Sequence, residues 1–504
     1  MVSPLFGAAV AAIVFYAAFA VIAQYGKLRH IKGPFPAAFT NLWRTKIQFV
    51  GPFQPTLHKL HKKYGSLVRI GPNTISFSDP RDVATVFSPR GSFPKADSYG
   101  TARAFINGES VGSIMTIQDE EKSKAVRRAI GNAFITKNMQ DYEEDIDITI
   151  NALVESLRRH AGTPINLFEQ MQLFQLDTML KMAFGENPGH LLHERDVLGL
   201  SMIANQRMWH WYAWQPVPYL ERFIFQNPLW STGLLGLLAK LSTTPPSQWA
   251  REGPVRVNAR RDLIKQGVTT SHPDLLDKYM AASEKHPDAI PPETLTGLAN
   301  STIAAGADTT SSTITTIIYS LMKSPAALDR LLRELRDARL SFPVRYSTVE
   351  SLPYLDAVIK EAMRMYPAFA AMLERVVPPQ GCTLSGGVHI PGGTVVGCIG
   401  QVVHRNEEIY GAEPERFRPE RWLLEDGETG RERLAAMERG SVAWSAGSRI
   451  CLGRHIAELE LKKVIPAVIS LFDFKLCDPN FEAKFDMGMM DGPRTPIMVT
   501  VHER

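Results

Sequence analysis

The chain has 504 residues, of which 44% are hydrophobic and 21% charged, with a formal net charge of +4. That length supports a large core, and the charge is too weak a bias to argue for nucleic acid. The four cysteines (Cys382, Cys398, Cys451 and Cys477) form no CxxC and are too few to staple such a chain. This excludes a disulfide framework and fits a reducing, cytosol-facing environment.

Residues 4–23, PLFGAAVAAIVFYAAFAVIA, carry no charge. As a helix they would span about 30 Å, the thickness of a bilayer core. Lys27, Arg29 and Lys32 follow, which by the positive-inside rule places the next residues in the cytosol. A cleaved signal peptide is the alternative, with Ala18-Phe19-Ala20 as its small-x-small site. Against it stand the length of the apolar run and the missing basic n-region. The expected division is an anchor and basic hinge over 1–31 and a catalytic domain over 32–504. Pro34 and Pro36 in GPFP stop the first helix from continuing.

Residues 66–88 alternate apolar and polar around Gly-Pro-Asn, which predicts a β-hairpin feeding a helix. From about 117 to 340 the pattern is mostly helical, with Asp119 as a cap and breaks at Pro188–Gly189 and Pro245–Pro246. Residues 208–230 hold four of the eight tryptophans (Trp209, Trp211, Trp214 and Trp230), either as an aromatic core helix or as a surface dipping into a membrane interface. Residues 377–404 return to strand and turn, followed by an irregular meander over roughly 405–443 and a helix from about 452 to 472. The balance is mainly α with a minor β portion.

The stretch WSAGSRICLGRHIAELE, 444–460, places Cys451 in a glycine-lined turn. Gly447 and Gly453 let backbone approach a flat group and leave amides free to point at sulfur. The helix that follows aims its positive end at the same atom, and Arg449 and Arg454 add cations. No second Cys or His lies at zinc spacing. This pattern argues for one axial thiolate on a prosthetic group bringing its own remaining ligands, a description that haem fits. A cysteine in such a turn is otherwise a small buried hydrophobe.

Three further elements carry chemistry. In AAGADTTSSTITT, 304–316, Gly306 and the threonines weaken a helix beginning near Pro292. Thr309 is placed to bond the carbonyl of Ala305 and open a notch, beside the acid Asp308. The alternative is an ordinary buried helix with back-bonded threonines. Glu361 and Arg364 share one helix face with apolar flanks, so burial would demand a further partner. Arg421 in FRPERWL is the candidate.

These pieces, in this order and spacing, resemble a cytochrome P450 over essentially the whole chain. The segments YGSLVRIGPN, FPKADSY, LPYLDAVIKEAMRMYP and VVHRNEEIYG are most similar to fungal microsomal members of the pisatin demethylase and benzoate 4-monooxygenase type. The resemblance implies a mainly α haem-thiolate fold with a small β region behind an N-terminal transmembrane helix. It implies Cys451 as axial ligand of a haem b iron, Thr309 and Asp308 as the proton-delivering pair, and Glu361, Arg364 and Arg421 as a buried structural triad. It places Arg127, Arg375 and Arg449 at the haem propionates, and Phe105, Ile106, Phe369, Met372 and Met489 along the substrate pocket. Two residues depart from the pattern: Trp444 stands where Phe is usual, and Ser123 where Trp or His often contacts a propionate.

The activity implied is monooxygenation of a lipophilic small molecule, by hydroxylation, epoxidation or oxidative demethylation, in fungal secondary metabolism. A thiolate ligand donates electron density that favours O–O cleavage. No GxGxxG segment is present, so the implied electron source is a separate NADPH–cytochrome P450 reductase on the same endoplasmic reticulum membrane. Lys462, Lys463 and Arg454 are either its acidic partner's docking site or a solvated helix face. Rival readings are a haem-thiolate isomerase or dehydratase, a non-enzymatic haem-binding protein, and a lumenal glycoprotein modified at Asn300-Ser301-Thr302.

Overall fold

The computed structural model describes residues 22–89, 93–106, 109–111, 113–135, 140–225, 246–268, 273–423, 427–485, 492–493 and 495–504. Helices dominate, as composition and periodicity predict. The central pair is α4 (Leu167–Phe184) and α8 (Pro292–Met322), following α1 (Leu42–Val50), α2 (Glu120–Ile130), α3 (Gln140–Arg159), α5 (Leu200–Trp214), α6 (Pro218–Phe225) and α7 (Pro246–Lys265). Two more complete the frame of the site, α9 (Pro353–Met365) and α10 (Arg454–Leu471).

The 31-residue α8 runs about 46 Å through the molecule, starting with Pro292 at its first position, where a missing N–H costs nothing. It is apolar around most of its circumference and buried for most of its length, as is α4. Gly306 lets the two approach: a Cβ there would collide with the Met179 thioether. The α4 helix stops at Gly185, which takes φ +69° and donates its N–H to the carbonyls of Leu180 and Lys181.

The hairpin expected at 66–88 forms as β1 (Leu67–Gly71) and β2 (Thr74–Phe77), and the helix Arg81–Val86 follows. A three-stranded sheet joins β3 (Ile165–Asn166) to two strands near the C-terminus, and β4 (Leu373–Val376) and β5 (Val395–Cys398) extend the hairpin into a four-stranded sheet ordered β1-β2-β5-β4. In that sheet β2 and β5 run parallel while β5 and β4 are antiparallel. Buried Arg44 ties α1 to this sheet through Glu374, and to α5 through Gln215 at 2.9 Å. Arg69, also buried, donates to the carbonyls of Gln24, Tyr25, Ala38 and Pro72, fastening the segment ahead of α1 to the hairpin.

Two expectations change. Residues 428–440, expected within an irregular meander, form a helix that buries Met437 and exposes Glu428, Arg431, Glu432, Glu438 and Arg439. The aromatic segment from 208 divides its roles. Trp211 is buried and donates to the Ser98 carbonyl at 3.1 Å, whereas Trp209 is about half exposed. Trp230 and nearly all of the apolar run 4–23 lie outside the described residues. Among the described residues, no helix is long and apolar enough to cross a membrane.

Candidate functional site

Cys451 sits between a short 3-10 turn, Gly447–Arg449, and the start of α10. The loop folds back on itself: Ser445 takes φ +59°, its amide donates to Val442, and the Cys451 amide donates to the Trp444 carbonyl at 2.7 Å. Gly447 is required twice over. Its φ is +63°, and a Cβ would strike the carbonyl of Phe87. The Cys451 side chain is accessible although it lies deep within the fold, so its free surface faces an internal space. The Gly453 amide points at the sulfur, with Arg127 and Arg454 nearby. Burial nevertheless wins, and the free thiol is pushed up from its ordinary value. The Gly453 amide, Arg127 and Arg454 act in the opposite direction and favour the thiolate.

Four cations gather beside this space. Arg127, on α2, donates to the Ile450 carbonyl at 2.7 Å. Arg375, on β4, donates to the Tyr99 hydroxyl at 3.2 Å and lies over the Phe87 ring at 4.9 Å. Arg449 turns toward α2, pairing with Glu120 at 2.8 Å and donating to Ser123. Ser123, where the resemblance implies a bulkier propionate contact, thus holds an arginine.

The fourth cation, Lys95, escaped sequence reasoning. It donates to the Met115 carbonyl at 2.6 Å and lies 4.6 Å from the Tyr99 ring. Burial first, and then Arg375 and Arg449, push its ammonium well below the ordinary lysine value. Glu120 is the carboxylate that acts on both Lys95 and Arg127. This excess of positive charge around an internal space calls for an anionic ligand.

On α8, Thr309 donates to the Ala305 carbonyl at 2.7 Å, the back-bond its spacing predicts. Ala305 is exposed and Gly306 half-buried in the middle of an otherwise buried helix, so one turn of α8 also faces open space. The helix remains continuous through this turn. Asp308 is 3% exposed. Its Oδ1 accepts from the Gln172 amide on α4 at 2.9 Å, and Oδ2 has no partner among the described residues. Burial pushes its carboxyl up to about 6, opposed by the Gln172 hydrogen bond and reinforced by Asp196.

Glu361, Arg364 and Arg421 come together, all at 1% exposure or less. The Glu361 carboxylate accepts from Arg364 Nε at 2.8 Å and Nη2 at 2.9 Å, and from Arg421 Nε at 2.9 Å. The Arg418 amide and the Trp422 indole, each at 2.9 Å, complete its shell. Burial raises this carboxyl, but Arg364, Arg421 and the Arg418 amide together hold it below its ordinary 4.5. Arg364 continues to the His404 carbonyl at 2.9 Å. The His404 ring bridges the Arg364 carbonyl at 3.1 Å and the Val442 amide at 2.9 Å. The unit therefore pins α9 to the chain entering the Cys451 loop. His404 is a second residue that sequence reasoning missed.

Other expected site residues are placed less directly. Phe369 is half-buried with its ring 5.8 Å from Trp211, and Met372 is fully buried in the same cluster. The backbone of Phe105 and Ile106 lies in a short hairpin strand, Ala104–Ile106. Their side chains, and Met489 altogether, lie outside the described residues.

Lys463 corrects the expected docking group. It is fully buried, bonded to Glu143 at 2.6 Å and Asp147 at 2.9 Å. Lys462 is held by Glu350 and Asp356, and Arg454 by Glu458. A buried, paired lysine meets no partner protein. Asn300 is 4% exposed and accepts from the Gly253 amide at 2.5 Å, so it is no glycan acceptor.

An accessible sulfur deep in the fold, an amide aimed at it and an excess of buried cations suit a flat anionic prosthetic group bound through one thiolate. The comparisons agree. The family model for Cytochrome P450 matches residues 32–499. The chain is 33% identical to Cytochrome P450 monooxygenase mfmA of Annulohypoxylon moriforme over 485 residues, covering 92% of this chain and 90% of the relative. It is 33% identical to a Cytochrome P450 monooxygenase of Aspergillus terreus, covering 92% and 94%, and 30% identical to Cytochrome P450 monooxygenase cicH of Emericella nidulans, covering 93% of each.

Proposed function

Because the chain belongs to the cytochrome P450 family and is a haem-thiolate monooxygenase supplied with electrons by a reductase, we propose that it inserts one oxygen atom into a lipophilic small molecule of fungal secondary metabolism. Hydroxylation, epoxidation and oxidative demethylation are the outcomes this class of site serves. The observation that carries the reading is the Cys451 thiol, accessible from within the fold under the Gly453 amide.

When bound, haem supplies the activation of dioxygen. Cys451 would hold its iron through the thiolate sulfur, under the Gly453 amide. Lys95, Arg127 and Arg375 would hold its carboxylates. Arg449, already paired with Glu120, would act mainly by fixing α2 against the cysteine loop.

Asp308 is the proton holder of the site. A carboxyl titrating at about 6 both gives and regains a proton near neutral pH. Thr309, with its own hydrogen spent on the Ala305 carbonyl, offers its oxygen lone pairs toward the open turn of α8. Product formed per NADPH, measured with reductase and a metabolite extract, tests this. Thr309→Ala is expected to lower that ratio, and an unchanged ratio would remove the proton-delivery role.

The apolar 4–23 run and the basic residues after it support a position on the endoplasmic reticulum membrane, with the catalytic domain on the cytosolic side and the reductase beside it. An exposed aromatic face supports this reading: Phe49 packs edge-on against Trp209 at 5.1 Å, with Phe35, Val50 and Tyr219 exposed on neighbouring elements. Flotation of the full chain with liposomes, lost on deleting 1–23, is the expected behaviour. A deletion that floats equally well would remove the anchor from the account.

A further inference from the structure

Asp308 is nearly sealed from solvent, yet among the described residues its carboxylate has one hydrogen bond to a neutral group and no cation. Buried carboxylates are ordinarily matched by a cation or several donors, as Glu361 is here. The sole side-chain donor to Asp308 among the described residues is the Gln172 amide, 2.9 Å from Oδ1. Oδ2 is buried and without a partner. Gln172 itself is half-buried, so it stands between the sealed carboxyl and accessible space. The α4–α8 contact that sets its distance is the close approach allowed by Gly306 against Met179, two residues before Asp308.

We propose that Gln172 is the positioning residue of the proton-delivering carboxyl: its amide fixes Oδ1 of Asp308 and thereby leaves Oδ2 to hold and pass the proton.

An amide donor suits this task because it orients without neutralising. A lysine or arginine in its place would hold Asp308 ionised and remove its proton at working pH. An apolar residue would leave both oxygens bare and keep the proton bound. The amide N–H favours the charged form and so moderates the upward push of burial. Among the described residues, the charged group acting on Asp308 is Asp196, itself 3.5 Å from His190 and bonded to Ser201; His190 is paired in turn with Asp177 at 2.8 Å. That cluster contributes one negative influence and no donor to Asp308. Gln172 is therefore the adjustable contact.

The proposal rests on the reading of Asp308 as the proton donor, and its test separates the two. The protonated-carboxyl band of Asp308, assigned by its loss in Asp308→Asn, is followed by infrared titration of the full-length holoenzyme. Gln172→Met, similar in length but without a donor, is expected to raise the titration midpoint by about one pH unit or more, the size of a lost hydrogen bond to a charged group. It should also lower product per NADPH about threefold or more while leaving KM within about twofold.

Gln172→Glu keeps the shape and is expected to raise the midpoint as well, through a like charge; it carries the test where the methionine variant fails to fold. An unmoved midpoint in the folded variants would overturn the proposal, as would a moved midpoint with unchanged coupling. Full coupling in Asp308→Asn would instead remove the underlying reading, with the infrared shift still standing.

Discussion

Replacing Glu361 with glutamine exchanges one carboxylate oxygen for an NH2 group and removes one charge. The amide oxygen can take the place of Oε1, which receives Arg421 Nε, Arg364 Nη2 and the Arg418 amide. The amide nitrogen then falls at Oε2, facing Arg364 Nε and the Trp422 indole, so donors oppose donors. Two hydrogen bonds are lost, the one from the guanidinium worth about 1.5–3 kcal/mol. Two arginines, both at 1% exposure or less, also lose their shared counter-charge, and breaking a buried pair costs about 3–5 kcal/mol. These terms overlap, so the expected loss is about 4 kcal/mol, a large part of an ordinary folding free energy of about 5–15 kcal/mol.

Urea unfolding of the full chain, followed by circular dichroism, reads the loss. Asp262→Asn is the control: its pair with Lys265 is exposed on both sides and is worth less than about 1 kcal/mol. If Glu361→Gln shifted the midpoint no more than Asp262→Asn, the buried triad would not be holding α9 to the cysteine loop.

Gly447→Ala forces a side chain into the left-handed region and against the Phe87 carbonyl. It should destabilise the loop by about 1–3 kcal/mol and lower haem retained per protein, with Gly26→Ala, far from the loop and with nothing among the described residues within 4 Å of its Cβ, as the milder comparison. Equal retention in both would remove the argument from backbone strain. Stability should also fall in mild acid. Burial holds His404 down to about 3 and His61 to about 4, from an ordinary 6.5. Between those limits the unfolded chain binds protons that the fold refuses, so stability rises with pH there by up to about 1.4 kcal/mol per unit for each histidine. His404→Gln should flatten that slope in unfolding curves taken from pH 4 to 6.5, and an unchanged slope would show that His404 is not the titrating group.

What was legible in the sequence followed from local spacing. Thr309 reaches Ala305 because a hydroxyl four residues on in a helix meets that carbonyl. Glu361 and Arg364 pair because three residues bring them to one face, and their apolar flanks announced burial. Cys451 stood out because glycines, arginines and a helix start surround a lone thiol.

Partners chosen by tertiary placement left no such mark. Arg449 meets Glu120 from 329 residues away, and nothing near either residue announces the pair. Lys463 sits in a row of charges that reads as a solvated face, yet the helix turns it onto Glu143 and Asp147. Lys95 becomes notable only when Arg127, Arg375 and Arg449 are brought beside it. His404 and Gln172 are likewise ordinary in sequence: His404 joins α9 to the loop at Val442, and Gln172 joins α4 to Asp308 on α8.

The central claim is that Cys451 would bind the haem iron through its thiolate. The carbon monoxide difference spectrum of the reduced holoenzyme tests it most directly. Wild type should show the strongly red-shifted Soret band of thiolate ligation, and Cys451→Ala should lose it. A band typical of histidine-ligated haem in the wild type, or an unchanged red shift in Cys451→Ala, would contradict the account.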